Sequence, residues 1–230
     1  MSAATLAPPD PTTVTPPPKA ILPGAASAPP VEADDPPYGG LEGLRRFTVA
    51  EYHAMLKAGV LADGERVELL NGFVVNQMSR GPDHDYPIRV LTKYFNRTLS
   101  DDWSVGPQTA ATLGDDSEPE PDLSIARGPD LTYATRHPGP ADIVLFVEVA
   151  DASLRRDQRE KLAVYAAAGV PVYWVVNVPQ RQVEVYTRPA GDTYAATAVY
   201  AAGQQLPVVL DGVDRGLIAV ADLFRRPQVN

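Results

Sequence analysis

Asp122 opens the segment PDLSI and Glu148 stands near the end of IVLFVEV, so each carboxylate is set in or beside a run of large apolar residues. A carboxylate in such surroundings is costly unless something pairs with it. Lys161 follows in LRRDQREKLAVY, on a segment with helical spacing. Two carboxylates and one lysine are the minimum set for holding Mg²⁺ (or Mn²⁺) and activating a water beside a phosphodiester. Residues 119–165 therefore read as a metal-dependent nuclease centre. Asp122 and Glu148 would be the metal ligands, and Lys161 would orient the water or neutralise developing charge. The same residues also admit a structural account. Asp122 could be a strand-opening carboxylate satisfied by backbone donors, with Glu148 and Lys161 a buried ion pair.

The elements that must position these groups can be read from periodicity. ADIVLFVEVA lacks polar alternation and predicts a central strand covered on both faces, as does VPVYWVVNV. Pro121 can occupy the first position of the strand that carries PDLSI. Between the two buried strands, Leu154 to Ala168 predicts a helix with Ser153 as N-cap and Gly169 as its stop. Leu154, Lys161, Leu162 and Tyr165 fall on or near one face of it, so Lys161 borders the apolar side. QVEVYTR and DTYAATAVY predict an antiparallel pair joined near Ala190 and Gly191, and VADLF a short closing turn or helix.

Upstream, Thr48 and Glu51 have the spacing of a capping box that opens a short helix. Tyr52, Met55 and Leu56 supply its apolar stripe. RVELLNGFVVNQM predicts a hairpin turned at Asn71 and Gly72. Glu68 lies in its first strand, where a solvated face and a ligand are both open readings. Residues 82–99 are helical in pattern, with Ile88, Leu91, Phe95 and Leu99 on one side. Arg89, Lys93 and Arg97 are spaced by four and share another face. That face is either a solvated charged surface or a phosphate-contacting stripe, to which Arg155 and Arg156 could add. His84 opens this helix, as a capping group or as part of the site. WSVGPQTAATL predicts two short strands, and residues 128–141 a Gly/Pro-rich loop. The order of elements predicts an α/β fold around a mixed sheet.

Residues 1–43 hold 11 of the 24 prolines and few large apolar groups, which predicts a disordered, partly polyproline-II tail ahead of a domain over 44–226. The chain has no cysteine, which removes disulfides and thiolate zinc sites. No apolar run reaches the length of a membrane span and no secretory signal is visible, so the expectation is a cytoplasmic protein without a membrane partner. The net charge of −9 counts against a general nucleic-acid binder, although a local basic stripe can act within an acidic whole.

Taken in order, VELLNG, His84, PDLSI and VEVADASLRRDQREKLAVYAAAGVPVYWVVN resemble the Uma-type restriction-endonuclease family of the PD-(D/E)XK nuclease superfamily, abundant in bacteria. The resemblance spans roughly residues 45–225 and is most specific from Glu148 to Trp174. It implies a restriction-endonuclease-like mixed β-sheet core flanked by helices, acting as a Mg²⁺-dependent endonuclease on nucleic acid, with DNA the expected substrate. Asp122 matches the aspartate of PD and Glu148 the second acidic position. Ala150 stands two residues after Glu148, where strict E-X-K spacing has lysine; the family carries that lysine on the following helix, here Lys161. Asp157, one turn earlier, also matches, and Glu68 and His84 match recurrent positions. The other class open to the sequence is a nuclease-like domain that binds nucleic acid or protein without cutting. A homodimer would suit cleavage of both strands.

Overall fold

A computed structural model describes residues 43–62, 64–78 and 80–224. The expected N-terminal tail, apart from Gly43, lies outside the described residues.

The chain opens with α1 (Val49–Lys57), and its capping box forms as the sequence predicts. The Thr48 hydroxyl accepts from the Glu51 amide, and a Glu51 carboxylate oxygen accepts from the Thr48 amide. Tyr52 is buried, but Leu56 is 40% exposed and does not belong to the inward stripe expected of it. Strands β1 (Val67–Leu70) and β2 (Phe73–Asn76) form the predicted hairpin. Asn71 and Gly72 both have positive φ, the demand of a type I′ turn. At Gly72 a Cβ would also lie 2.5 Å from the Arg46 Cβ, so glycine is required twice over.

Helix α2 (Pro82–Thr98) buries Ile88, Leu91 and Phe95. The main sheet has the order β3-β4-β5-β6-β7-β8, made of β3 (Trp103–Pro107), β4 (Leu123–Arg127), β5 (Ile143–Ala150), β6 (Val172–Asn177), β7 (Gln182–Ala190) and β8 (Thr193–Ala201). All neighbours are antiparallel except β5 and β6. A parallel pair needs a crossover, and a helical segment over residues 154–167 supplies it. Only one of the two strands expected over residues 103–113 forms, since 108–113 belongs to no named strand. The 128–141 loop contains a 3₁₀ turn at Asp130–Tyr133, and a second closes the described chain at Val220–Phe224.

Every residue of β5 is buried, as its unbroken apolar run predicts. Val147 and Val149 pack with α2, while Phe146 and Ala150 share a cluster with Val164 and Tyr165 on the opposite face. By strand alternation Glu148 points to the second face. The first face is closed by a hairpin that the sequence reading did not identify, β9 (Gln205–Leu210) with β10 (Val213–Ala219), through Leu206, Val208 and Ile218. Its signal was present: Asp211 and Gly212 form another turn with two positive φ values.

The predicted Leu154–Ala168 helix is interrupted. Residues Leu154–Arg156 (α3) and Leu162–Ala167 (α4) are α-helical, but Asp157–Lys161 between them is a π turn. Ser153 does not cap it; its hydroxyl instead donates to Asp157 Oδ2 at 2.6 Å. Among the described residues no helix is long and apolar enough to cross a membrane.

Candidate active site

Asp122 immediately precedes β4, and Leu123 pairs with Val147. One further step of this antiparallel register sets Asp122 opposite Glu148. Cross-strand partners carry their side chains on one face, with Cβ atoms roughly 5 Å apart. The two carboxylates that the sequence singled out are therefore neighbours at one end of the sheet.

Lys161 meets them from the π turn. Its ammonium lies 2.9 Å from Glu148 Oε1 and 3.1 Å from Glu68 Oε2. Asp157 and Lys161 are both buried, although they stand at opposite ends of the turn. Wider π turns of this kind recur at functional positions. Glu68 is not a solvated strand residue. It is 2% exposed, and its Oε2 also accepts from the Glu120 amide at 3.1 Å.

His84, at the start of α2, donates toward the centre: Nε2 lies 3.0 Å from Asp122 Oδ2, which also accepts from the Val149 amide at 2.9 Å. Arg80, absent from the sequence reading, stands 3.8 Å from Asp122 Oδ1. Tyr165 was assigned only to the apolar face; its ring belongs there, but its hydroxyl donates to Glu148 Oε1 at 2.6 Å. Spacing gave a usable sign, because Tyr165 is four residues from Lys161 and shares its face. Arg80 gave none.

Glu68, His84, Asp122, Glu148, Asp157 and Lys161 line one small pocket of about 40 Å³, with Arg156 at its rim. Arg156 donates to the Asn76 carbonyl and pairs with Glu160. The other expected phosphate contacts are not gathered there. Arg155 and Lys93 are exposed on their helices, and Arg89 faces a separate cleft.

Burial pushes the Glu148 carboxyl well above its usual range. Lys161 opposes this, while Asp122, Asp157 and Glu68 add to it. Burial likewise raises Asp157 to about 6 against the pull of Lys161 and the Ser153 hydroxyl. Burial alone would lower the Lys161 ammonium, but Glu148, Glu68 and Asp157 outweigh it, so the net shift is upward and the lysine stays charged. Asp122 behaves differently. Burial would raise it, yet the hydrogen bond and charge of His84, the Val149 amide and Lys161 together hold it below its usual value. Burial is the largest influence on His84 and depresses it, but the hydrogen bond and charge of Asp122, with the bond to Asp85, together outweigh it and leave it raised.

One ammonium thus faces three buried carboxylates, Glu68, Glu148 and Asp157, while Asp122 is met by His84 and, at 3.8 Å, by Arg80. Among the described residues, Lys161 and Tyr165 both donate to Glu148 Oε1, and Arg80 approaches Asp122 Oδ1 only to 3.8 Å. That donor set fits a hard divalent cation. Among the described residues no three His, Cys, Asp or Glu side chains form a ready-made metal cage.

The architecture is that of the restriction-endonuclease-like α/β class, a mixed sheet flanked by helices. A solved structure described as "a putative nuclease belonging to DUF820" from Anabaena variabilis has the same fold, with TM-score 0.53 and 15% identity over 70% of this chain and 90% of that one. Residues 49–220 match the family model described as "Uma2: Putative restriction endonuclease", and the chain belongs to that family. No curated protein matches the sequence. Membership and fold together support a nuclease function.

Proposed function

We propose that this chain is a divalent-metal-dependent nuclease that hydrolyses phosphodiester bonds, with DNA as its substrate. The observation that carries the reading is the convergence of four buried carboxylates, Glu68, Asp122, Glu148 and Asp157, with Lys161 on one pocket. Asp122 and Glu148 would hold Mg²⁺ or Mn²⁺. Such a cation would supply Lewis acidity toward a water nucleophile and toward charge gathering on the phosphate.

The remaining roles belong to the chain. Lys161 presents a fixed positive charge beside the reacting phosphate. Glu68 and Asp157 hold that ammonium in place, and Tyr165 orients Glu148 by occupying Oε1. His84 and the Val149 amide fix Asp122, as outer partners of metal-binding carboxylates commonly do. Arg156 is placed to meet a phosphate at the rim, while Arg89, Lys93 and Arg155 would act farther along a bound strand.

One observation favours the non-cutting alternative: Lys161 is already engaged by two carboxylates, as a purely structural bridge would be. The two readings separate in a cleavage assay on mixed DNA and RNA with Mg²⁺ or Mn²⁺, run beside Asp122→Ala. Metal-dependent cutting of DNA by the wild-type chain, lost in Asp122→Ala, is the expected result. Equal cutting by both proteins, or none by either despite a metal-induced rise in thermal midpoint, overturns the nuclease reading.

A further inference from the structure

A second depression, about 720 Å³ in volume, lies beside the site, within the size range of small-ligand pockets. Its floor is formed where β5 and β6 end, at Asp151 and Val178. The crevice outside the carboxyl ends of parallel strands is where open α/β sheets receive ligands. Its walls carry Tyr86 from α2, Phe224 from the closing 3₁₀ turn, and the guanidinium-bearing Arg89 and Arg181. Arg181 stacks over the Phe224 ring at 5.5 Å. The sequence reading gave a role to Arg89 alone among these.

A row of charged groups joins this cleft to the catalytic pocket. His84 Nε2 is bonded to Asp122, and its Nδ1 lies 3.4 Å from Asp85 Oδ1. Asp85 Oδ2 in turn lies 4.0 Å from Arg89 at the cleft wall. Whatever occupies the cleft is therefore one residue layer from the group proposed to hold the metal.

The lining indicates the occupant. An aromatic face beside two guanidinium groups matches how single strands are held, with bases stacked on rings and phosphates met by Arg. Asp83, Asp85 and Asp151, which also line the cleft, are unsuited to phosphate, but a carboxylate accepts hydrogen bonds from the amino groups on base edges. A duplex keeps its bases stacked and could offer this cleft only its backbone, which the aspartates would repel.

We propose that the cleft holds an unstacked base of a single nucleic-acid strand, next to the phosphodiester presented to the site; this rests on the nuclease reading above. Tyr86 stacks on the base, Asp85 or Asp151 accepts from its amino group, and Arg89 and Arg181 meet the flanking phosphates.

The test uses the full chain and short labelled oligonucleotides as single-stranded DNA, single-stranded RNA and duplex DNA. Binding is read by fluorescence anisotropy in EDTA, where nothing is cut. The expected result is tighter binding of one or both single strands than of duplex. Tyr86→Ala should weaken it by roughly five- to a hundredfold, the range for losing one stacked base. Tyr86→Phe, which keeps the ring, should bind nearly as wild type, and Arg181→Gln should weaken binding and flatten its salt dependence. Thermal midpoints show whether each variant is folded. Binding by folded Tyr86→Ala and Arg181→Gln equal to wild type, duplex preferred over both strands, or no strand binding at all overturns the cleft assignment. Asp122→Ala, outside the cleft, keeps the two readings apart. If it cuts as wild type while Tyr86→Ala loses strand binding, the catalytic assignment falls and the cleft stands.

Discussion

Replacing Lys161 by Met keeps the apolar stem but removes the cation that touches both Glu148 and Glu68. All three residues are 5% exposed or less, so solvent does not screen the loss. Removing one partner of a buried pair costs about 3–5 kcal/mol, because the other charge stays buried without compensation. For a chain of this size that lowers the thermal midpoint by roughly 6–20 °C. The deficit must also depend on pH. Glu148 is already raised by burial, and losing the ammonium raises it further. A carboxyl whose folded pKa exceeds its unfolded value binds its proton more tightly when folded. Its contribution to stability is complete below the unfolded value, about 4.3, and is lost as pH rises through the folded one. The variant should therefore fall progressively behind wild type as pH rises above about 4.3. Thermal melts of both proteins in EDTA up to pH 8 measure this directly. Adding Glu148→Gln to Lys161→Met should recover much of the deficit at pH 8. A deficit under about 1 kcal/mol, or one constant with pH, refutes the charge distribution described for the cluster. In the same preparation, held well below its midpoint, cleavage should fall by roughly 10²-fold or more, the scale for losing one electrostatic stabiliser.

Three further outcomes follow from the same geometry. Mg²⁺ at about a hundredfold over its Kd should stabilise the wild-type chain by about 2.7 kcal/mol, and Asp122→Ala or Glu148→Gln should abolish that shift in a calorimetric or dye-based melt. His84→Asn should lose stability in EDTA mainly at acidic pH. A raised histidine pKa stabilises fully below about 6.5 and ceases to as pH rises through the folded value, so equal deficits at pH 5.5 and 9 would contradict the His84–Asp122 pairing. Thr48→Ala should cost about 1 kcal/mol by removing the acceptor for the Glu51 amide, with no effect on metal binding; a midpoint within error of wild type would show the cap to be dispensable.

The parts of this protein legible in its sequence are those whose physics is local. The capping box at Thr48 and Glu51 needs residues three apart, and the Asn71–Gly72 turn needs two adjacent positive φ values. The two-sided burial of β5 follows from an apolar run without alternation. Asp122, Glu148 and Lys161 were recognisable as a group because carboxylates are costly beside apolar strands. The β9–β10 hairpin carries an equally local signal, two adjacent positive φ values at Asp211 and Gly212.

What the tertiary structure alone decided is where long-range pairing brings groups together. Glu68 looks like any strand residue until the β1 hairpin folds against the helix that bears Lys161, far along the chain. The Ser153 hydroxyl had a local option as a helix cap, yet it donates to Asp157, because a buried carboxylate gains more from the bond than a solvated helix end does. The π turn has no mark in DQREK; it accompanies the burial of both Asp157 and Lys161 against the sheet, a demand set by packing. Arg80 and Tyr165 reach the site in the same way, the one from a loop and the other from an apolar helix face. Spacing along a chain predicts which side chains share an element's face. Which faces meet depends on sheet order and register, and these are settled only when the whole core closes.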